Sequence, residues 1–175
     1  MNIILCGLPT SGKTTTGKII AKILHRQHVD TDDLIVQNYG NPSVTTCRQI
    51  YLCEGEDFFR RFENKQILAL KQHKNCIISI GGGSLSYFDN DKILKSIGCL
   101  VYLKTRFPTL WKRICQRGVL SWLDPAHPQK DFYQLMKKRQ SKLDEVADII
   151  IDTANLTPHG VAKQILITSK IGYGK

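Results

Sequence analysis

Long apolar segments are missing from this sequence of 175 residues. No run reaches the roughly 18–20 apolar residues that a membrane-spanning helix needs. The N-terminal stretch MNIILCGLPT has no basic residue ahead of its short apolar run, so it is not typical of a secretory signal. We therefore expect a cytoplasmic protein that has no membrane partner.

Cysteine and histidine are present, but without the spacing of a metal site. The six cysteines include no CxxC pair, and the five histidines show no ligand spacing. Several cysteines lie within apolar segments such as NCIISI and GCLVYL, where a reduced thiol packs like a small apolar side chain. We expect reduced cysteines and no zinc site.

Acidic residues are scarce, because 15 Asp and Glu stand against 25 Lys and Arg, which gives a formal net charge of +10. Such a surplus favours a polyanionic partner, whether nucleic acid, an anionic membrane or a small phosphorylated ligand. Ten of the basic residues but only two acidic ones lie within residues 104–142. There is no N-K-x-D motif, and no aromatic residues interleave with the basic ones as in RNA-binding modules. The concentrated charge therefore favours small anions over nucleic acid.

Short apolar runs alternate with longer helical patterns along the whole chain. Strands are predicted at residues 2–6, 28–31, 76–80, 99–103 and 148–152, and helices at 13–26, 57–72, 89–97, 108–117, 131–146 and 158–168. Such alternation is typical of an α/β fold with a parallel sheet and helices on both faces. We expect a single domain over residues 1–175, with its site beyond the carboxyl ends of the strands.

The segment GLPTSGKT at residues 7–14 matches the phosphate-binding pattern G-x-x-x-x-G-K-[ST] and lies between a predicted strand and a predicted helix. Its glycines allow turns that aim backbone amides at phosphate oxygens, and the helix N-terminus adds partial positive charge. Lys13 is expected to reach the β- and γ-phosphates, and Thr14 to ligate Mg²⁺. The phosphates of ATP are expected to contact Thr10, Ser11, Gly12, Lys13, Thr14 and Thr15.

Three carboxylates, Asp30, Asp32 and Asp33, lie at the end of the second predicted strand. In an extended segment, Asp30 and Asp32 would point to the same side. Carboxylates this close repel one another unless a cation or hydrogen-bond donors compensate them, and a Mg²⁺ held by Thr14 would do so. One carboxylate would position the metal, and another would accept a proton from an acceptor hydroxyl. The alternative is capping of the next helix, which for Asp33 is an equally good explanation.

Taken together, these motifs resemble those of the shikimate kinases, which are small P-loop kinases related to the nucleoside monophosphate kinases. The resemblance covers nearly the whole chain, through GLPTSGKT at 7–14, DTD at 30–32, GEDFFRRFE at 55–63, GGG at 81–83 and KKRQSKLDEVADIIIDT at 137–153. It implies a three-layer P-loop kinase fold with a parallel five-stranded sheet, and a monomer that uses ATP and Mg²⁺. The implied reaction is phosphorylation of the 3-hydroxyl of shikimate, in the pathway to chorismate and the aromatic amino acids.

The resemblance also implies a role for each matching residue. Asp32 matches the aspartate that binds the shikimate hydroxyls and is the candidate base, and Asp30 matches the aspartate associated with Mg²⁺. Glu63 matches the acid that orients side chains of the substrate site. The other matches are Arg60 and Arg139 with the substrate carboxylate, Gly82 with a substrate hydroxyl, and Arg113 and the loop at 153–158 with adenine. Composition does not separate Arg60 from Arg61, or Arg113 from Lys112.

A mobile lid is predicted at about residues 118–130, where periodicity is lost. The family carries a lid arginine in a segment similar to R-P-L-L, and the register of this chain places Leu120 at that position. We hypothesise that Arg117 supplies the missing charge to the transferring phosphoryl group. The alternative is that Arg117 is an ordinary solvated residue at a helix end.

Three other functions stay open at this point. The chain could phosphorylate another acceptor on the same scaffold, such as gluconate or a nucleoside monophosphate. It could be a nucleotide-dependent switch or a nucleic-acid-binding NTPase, as its basic charge suggests. It could also be a family member that has lost activity through its changed lid.

Overall fold

Five parallel strands form the central sheet of the computed structural model, which describes residues 1–118 and 123–169. They are β1 (Asn2–Cys6), β2 (His28–Asp30), β3 (Ile77–Ser79), β4 (Gly98–Lys104) and β5 (Ile149–Asp152), in the spatial order β2-β3-β1-β4-β5. The central strand β1 pairs in parallel with β3 on one side and with β4 on the other. Because all the pairs are parallel, the carboxyl ends of the strands reach the same edge of the sheet.

Helices follow the strands along the chain. In the described residues they are α1 (Lys13–Leu24), α2 (Thr31–Tyr39), α3 (Cys47–Ala69), α4 (Asn90–Ile97), α5 (Phe107–Arg117), α6 (Pro128–Val146) and α7 (Pro158–Ser169). A capping box between Thr46 and Gln49 begins α3, and prolines in the first turn begin α5 and α6. No helix among these is both long and apolar enough to cross a membrane.

The core has two layers because alternate residues of β1 face opposite sides of the sheet. Ile4 and Cys6 pack in one cluster with side chains such as Phe132 of α6. Ile3 and Leu5 pack on the other face, in the cluster that α1 and α7 complete. The fold is therefore a three-layer α/β structure with helices on both faces of a five-stranded parallel sheet, and the fold class predicted from the sequence is confirmed.

A smaller apolar cluster joins α2 to α3 beside the sheet, around the buried side chains of Ile35, Ile50 and Phe59. Within α3 the backbone of Gly55 has φ 82° and ψ 172°, a region open essentially to glycine alone. The helix is therefore kinked at Gly55, and it resumes at Glu56 in a new direction. The resumed part carries Arg60 into the candidate site.

Some expectations about local structure are wrong. Helix α2 was not predicted, and the helix expected at 57–72 begins at Cys47 and gives way to a short 3₁₀ turn at Leu70–Gln72. Since α2 begins at Thr31, Asp32 lies in a helical first turn, and the extended geometry assumed for it does not occur. Helix α6 begins at Pro128, inside the predicted loop.

Candidate active site

A cavity of about 520 Å³ opens at the carboxyl ends of β1, β2 and β3. It brings together most of the predicted residues, namely Thr10, Gly12, Lys13, Thr14, Thr15, Asp30, Asp32, Arg60, Glu63, Gly82, Arg117 and Arg139. Ser11 and Arg113 do not line it. Distant parts of the sequence meet here because parallel strands all end at this edge.

The phosphate-binding loop links β1 to α1. Gly7 has φ +147°, and a Cβ there would lie 2.9 Å from Ser11 Oγ and 3.0 Å from the Leu103 carbonyl oxygen, so only glycine fits. Gly12, with φ +97°, immediately precedes α1. Lys13 Nζ donates to the carbonyl oxygens of Gly7 and Leu8 at 2.9 and 3.0 Å. Burial lowers the pKa of Lys13, and the nearby Asp32 carboxylate opposes that shift.

Asp30 has two partners at the end of β2. Its Oδ1 accepts a hydrogen bond from the backbone N–H of Asp32 at 3.1 Å and so caps α2. Its Oδ2 accepts from Thr14 Oγ1 at 2.8 Å. Asp30 therefore caps α2 and also contacts the phosphate-binding loop. The capping residue is Asp30 and not Asp33. The Thr14 hydroxyl and the Asp30 carboxylate are oxygen donors of the kind that Mg²⁺ prefers, so this pair fits the expected ion.

Asp32 is open to the cavity from the first turn of α2. Loss of solvent around its carboxylate and the charge of Asp30 raise its pKa to about 6, although Lys13 acts in the opposite direction. A Cβ added to Gly81 would lie 3.1 Å from Asp32 Oδ1. A carboxylate that opens into the cavity and has a raised pKa has the properties of a group that accepts a proton.

Two guanidinium groups converge on Gly83. A Cβ at Gly83 would lie 3.0 Å from Arg139 Nη2 and 3.3 Å from Arg60 Nη1. Burial, followed by the charge of Arg60, lowers the pKa of Arg139. Burial is the largest single effect on Arg60 and would lower its pKa, but Glu63, Tyr87 and Glu56 together outweigh burial and raise that pKa.

Glu63 anchors this arrangement from within the core. Its side chain is 2% exposed and accepts from Arg60 Nη1 at 2.9 Å and from Ser84 Oγ at 2.6 Å. Arg139 Nη1 donates to the Gly82 carbonyl oxygen at 3.4 Å. The two arginines therefore lie side by side at one end of the cavity, and the buried Glu63 holds Arg60 there.

The triple glycine also approaches the phosphate-binding loop. A Cβ at Gly82 would lie 2.8 Å from Pro9 Cδ and 2.9 Å from the Pro9 nitrogen, so a side chain at this position would collide with that loop. The glycine run after β3 therefore allows two loops to touch, in addition to leaving room for a ligand.

The structure distinguishes neighbouring basic residues that composition alone could not tell apart. Arg60 is partly buried and lines the cavity, whereas Arg61 is exposed. Arg113 Nη1 donates to the carbonyl oxygen of Thr10 at 2.9 Å, whereas Lys112 is exposed. Arg117 is exposed at the end of α5 and lines the cavity. Positions 119–122, which include the expected lid position Leu120, lie outside the described residues.

Sequence reasoning missed one side of the cavity. Cys47, Arg48 and Tyr51 from the first part of α3, with Glu56 and Tyr87, also line it. Glu56 lies in the motif GEDFFRRFE but was given no role there. The other four residues match no motif, and the first part of α3 was not predicted to be helical. The capping box at Thr46 and Gln49 was the available signal for a helix start here.

A phosphate-binding loop that shares its cavity with a carboxylate of raised pKa and two neighbouring guanidinium groups is suited to phosphorylating a small anionic acceptor. Fold and site together define a P-loop small-molecule kinase.

Comparisons with known proteins give the family. The family model described as shikimate kinase matches residues 9–170. The shikimate kinase of Chlamydia pneumoniae is 35% identical over 173 residues, which are 96% of this chain and 98% of that protein. The shikimate kinase of Clostridium botulinum (strain ATCC 19397 / Type A) is 37% identical over 174 residues, covering 99% and 96%. The structure of shikimate kinase from Acinetobacter baumannii in complex with shikimate superposes with a TM-score of 0.89 at 30% identity, covering 99% of this chain and 95% of that chain.

The chain belongs to the shikimate kinase family. It is a kinase that uses ATP with Mg²⁺, and these predictions from the sequence are confirmed. The roles of individual residues stay predictions.

Proposed function

We propose that this cavity binds ATP and shikimate together and that the chain transfers the γ-phosphoryl group to the 3-hydroxyl of shikimate. The observation that carries the proposal is the convergence of Arg60 and Arg139 on Gly83, in the same cavity as the phosphate-binding loop. The complex of the A. baumannii relative with shikimate supports it.

The arginine pair accounts for recognition of the acceptor. A planar guanidinium matches a carboxylate with two parallel hydrogen bonds, which lysine does not offer. Arg60 and Arg139 lie close enough for the charge of Arg60 to lower the pKa of Arg139. A bound carboxylate relieves this repulsion, so the site favours an acceptor with one carboxylate. The Gly82 backbone is proposed to contact a substrate hydroxyl.

The phosphate side of the cavity would hold ATP for in-line transfer. Backbone amides of residues 10–15 would bind the phosphate oxygens, and Lys13 would exchange its carbonyl partners for the β- and γ-phosphates. Thr14 and Asp30 would hold Mg²⁺, which offsets phosphate charge when bound. Arg113 and the loop at 153–158 would contact adenine.

Asp32 would orient the acceptor hydroxyl and take its proton. The raised pKa of its carboxyl, about 6, suits this task near neutral pH, because the group is charged and yet basic enough to accept a proton. Catalysis would then rest on positioning and charge stabilisation, without a covalent intermediate. Arg117 and a lid at about residues 118–130 would cover the transferring group and exclude water.

We further propose that the chain acts as a cytoplasmic monomer on small molecules, with no nucleic-acid or membrane partner. The basic residues within 104–142 include Arg113, Arg117 and Arg139, which supports a use for that charge in binding ATP and the acceptor.

An assay of ADP release tests the proposed function. The purified chain is given ATP and Mg²⁺, with and without shikimate, beside gluconate and nucleoside monophosphates. We expect release that depends strongly on shikimate. Equal or greater release with another acceptor would identify a different kinase, and release that no acceptor stimulates would point to an NTPase. No release at all would indicate an inactive family member.

A further inference from the structure

Arg60 lies against an aromatic ring that belongs to no motif of the sequence. Its Cζ is 4.2 Å from the centroid of the Tyr87 ring and 5.2 Å from that of Phe59. A guanidinium within about 6 Å of a ring centroid is attracted by the electron density of the ring face. Tyr87 is partly buried and lines the cavity beside Arg60.

The hydroxyl of Tyr87 adds a second contact to the same group. It donates to Glu56 Oε1 at 2.6 Å, and that same oxygen lies 3.8 Å from Arg60 Nε. The hydrogen bond from Tyr87 lowers the pKa of Glu56, so the carboxylate stays charged beside the guanidinium. Tyr87, Glu56 and Arg60 thus form a closed triangle of contacts, which ties the loop after β3 to the part of α3 that follows the kink.

Arg60 is therefore held from two sides. Glu63 binds Nη1 from the core at 2.9 Å, and Arg60 Cζ lies over the ring of Tyr87 at 4.2 Å from its centroid. Such restraint matters because a long arginine side chain loses rotamer freedom when it binds a ligand, and a side chain already in place loses less.

We propose that Tyr87 is a positioning residue that holds Arg60 in the orientation that binds the carboxylate of the acceptor, with Glu56 fixing the tyrosine hydroxyl. This inference rests on the proposed function, in which Arg60 binds that carboxylate. Tyr87 acts through Arg60, so its removal weakens binding of the acceptor and leaves phosphoryl transfer and ATP binding intact.

The test compares Tyr87→Leu, which removes ring and hydroxyl, with Tyr87→Phe, which keeps the ring. We expect Tyr87→Leu to raise KM for shikimate about tenfold and Tyr87→Phe about two- to threefold. In both variants kcat and KM for ATP should stay within about twofold of the wild-type values, as expected when only acceptor binding is lost.

Tyr133→Leu is the matched control, because Tyr133 also lies beside a cation, with Lys137 Nζ 5.3 Å from its ring, but does not line the cavity. It should leave KM for shikimate unchanged. Methyl shikimate, whose carboxylate is esterified, should show equal KM values with wild type and Tyr87→Leu. In an Arg60→Ala background, Tyr87→Leu should add no further increase.

The experiment distinguishes failure of the proposed function from failure of the proposed role of Tyr87. If the wild-type chain releases no shikimate-dependent ADP, the proposed function falls. If the wild type is active and Tyr87→Leu has the wild-type KM for shikimate, the positioning role is wrong. A structural role would appear differently in Tyr87→Leu. Its thermal stability and its kcat would fall, and its KM for ATP would rise by a similar factor.

Discussion

At the scale of single residues, Asp32 is under two opposing demands. In the proposed mechanism its carboxylate must be charged to accept a proton, yet loss of solvent around it and the neighbouring Asp30 disfavour that charge and raise its pKa to about 6. Groups tuned for chemistry often reduce the stability of the free protein in this way. Both sides of this conflict can be measured with the near-isosteric change Asp32→Asn.

Asp32→Asn should abolish shikimate-dependent turnover and leave the affinity for ATP nearly unchanged. The amide cannot accept the hydroxyl proton, while the phosphate-binding loop is untouched. Steady-state ADP release and nucleotide binding by calorimetry check the two parts. Turnover close to the wild-type rate would show that Asp32 is not the base.

The same variant should be more stable than the wild type without Mg²⁺ and nucleotide at pH 8. The pKa of Asp32 rises from 3.8 to about 6 on folding, so the folded state binds the proton more tightly, and wild-type stability falls as pH rises through this window. The difference between the variants should shrink as pH falls from 6 towards 4. Denaturant unfolding across this range measures it, and a pH-independent difference would contradict the assigned shift.

Arg117→Ala should lower kcat at least tenfold if Arg117 supplies charge to the transferring group, since such arginines contribute several kcal/mol to phosphoryl transfer. Lys138→Ala is the control, because it removes one exposed positive charge from the same basic region without touching the cavity. A kcat for Arg117→Ala within about twofold of the wild-type value would identify an ordinary solvated residue.

At the scale of elements, the kink in α3 matters most for the site. The first part of α3 brings Cys47 and Tyr51 to the cavity, and the part after Gly55 brings Glu56 and Arg60. A straight helix would not place both sets at one cavity with these orientations. The backbone conformation of one glycine therefore sets how α3 lines the cavity.

Gly55→Ala should lower the free energy of unfolding by about 1–3 kcal/mol and raise KM for shikimate, because an L residue strains at φ 82° and ψ 172°. Gly40→Ala is the matched control: Gly40 also has positive φ and open space around it, but it ends α2 away from the cavity. It should cost about 1 kcal/mol of stability without changing KM. Equal KM values in the two variants would mean that the kink does not set the site.

The strands were easier to predict from the sequence than the helices. The five strands were predictable because buried parallel strands are short continuous apolar runs, and the motifs placed the site at their ends. Helix α2 was missed because DTDDL begins with aspartates that also suggest a metal site, and the cap proved to be Asp30. The start of α3 was missed because glycine and polar residues around Gly55 break the apolar period, although the helix continues past a kink.

Contacts between side chains of distant residues could not be predicted from the sequence. The contact between the Tyr87 ring and Arg60 joins the loop after β3 to α3, and no local pattern encodes it. The motif register alone favoured Arg60 over Arg61, and burial then distinguished them. Similarly, only the fold shows that Arg113 contacts the phosphate-binding loop through Thr10.

At the scale of the whole molecule, the net charge of +10 is concentrated within residues 104–142. We expect KM for ATP to rise as salt is raised to about 0.3 M, because added ions screen this field beyond a Debye length of about 8 Å at 0.15 M. Sucrose at matched osmolality is the control and should have no effect. A KM for ATP that is independent of ionic strength would show that this charge does not help to attract the nucleotide.

The close approach of Gly82 to Pro9 links the two loops that are proposed to bind the two substrates. Pro9 belongs to the loop proposed to bind the nucleotide, and Gly82 to the loop proposed to contact the acceptor, with no room for a side chain between them. A shift of either loop is therefore transmitted by direct contact. Whatever factor ATP imposes on the affinity for the acceptor, the acceptor must impose on the affinity for ATP, and the approach of these two glycine-containing loops is a direct route for such coupling.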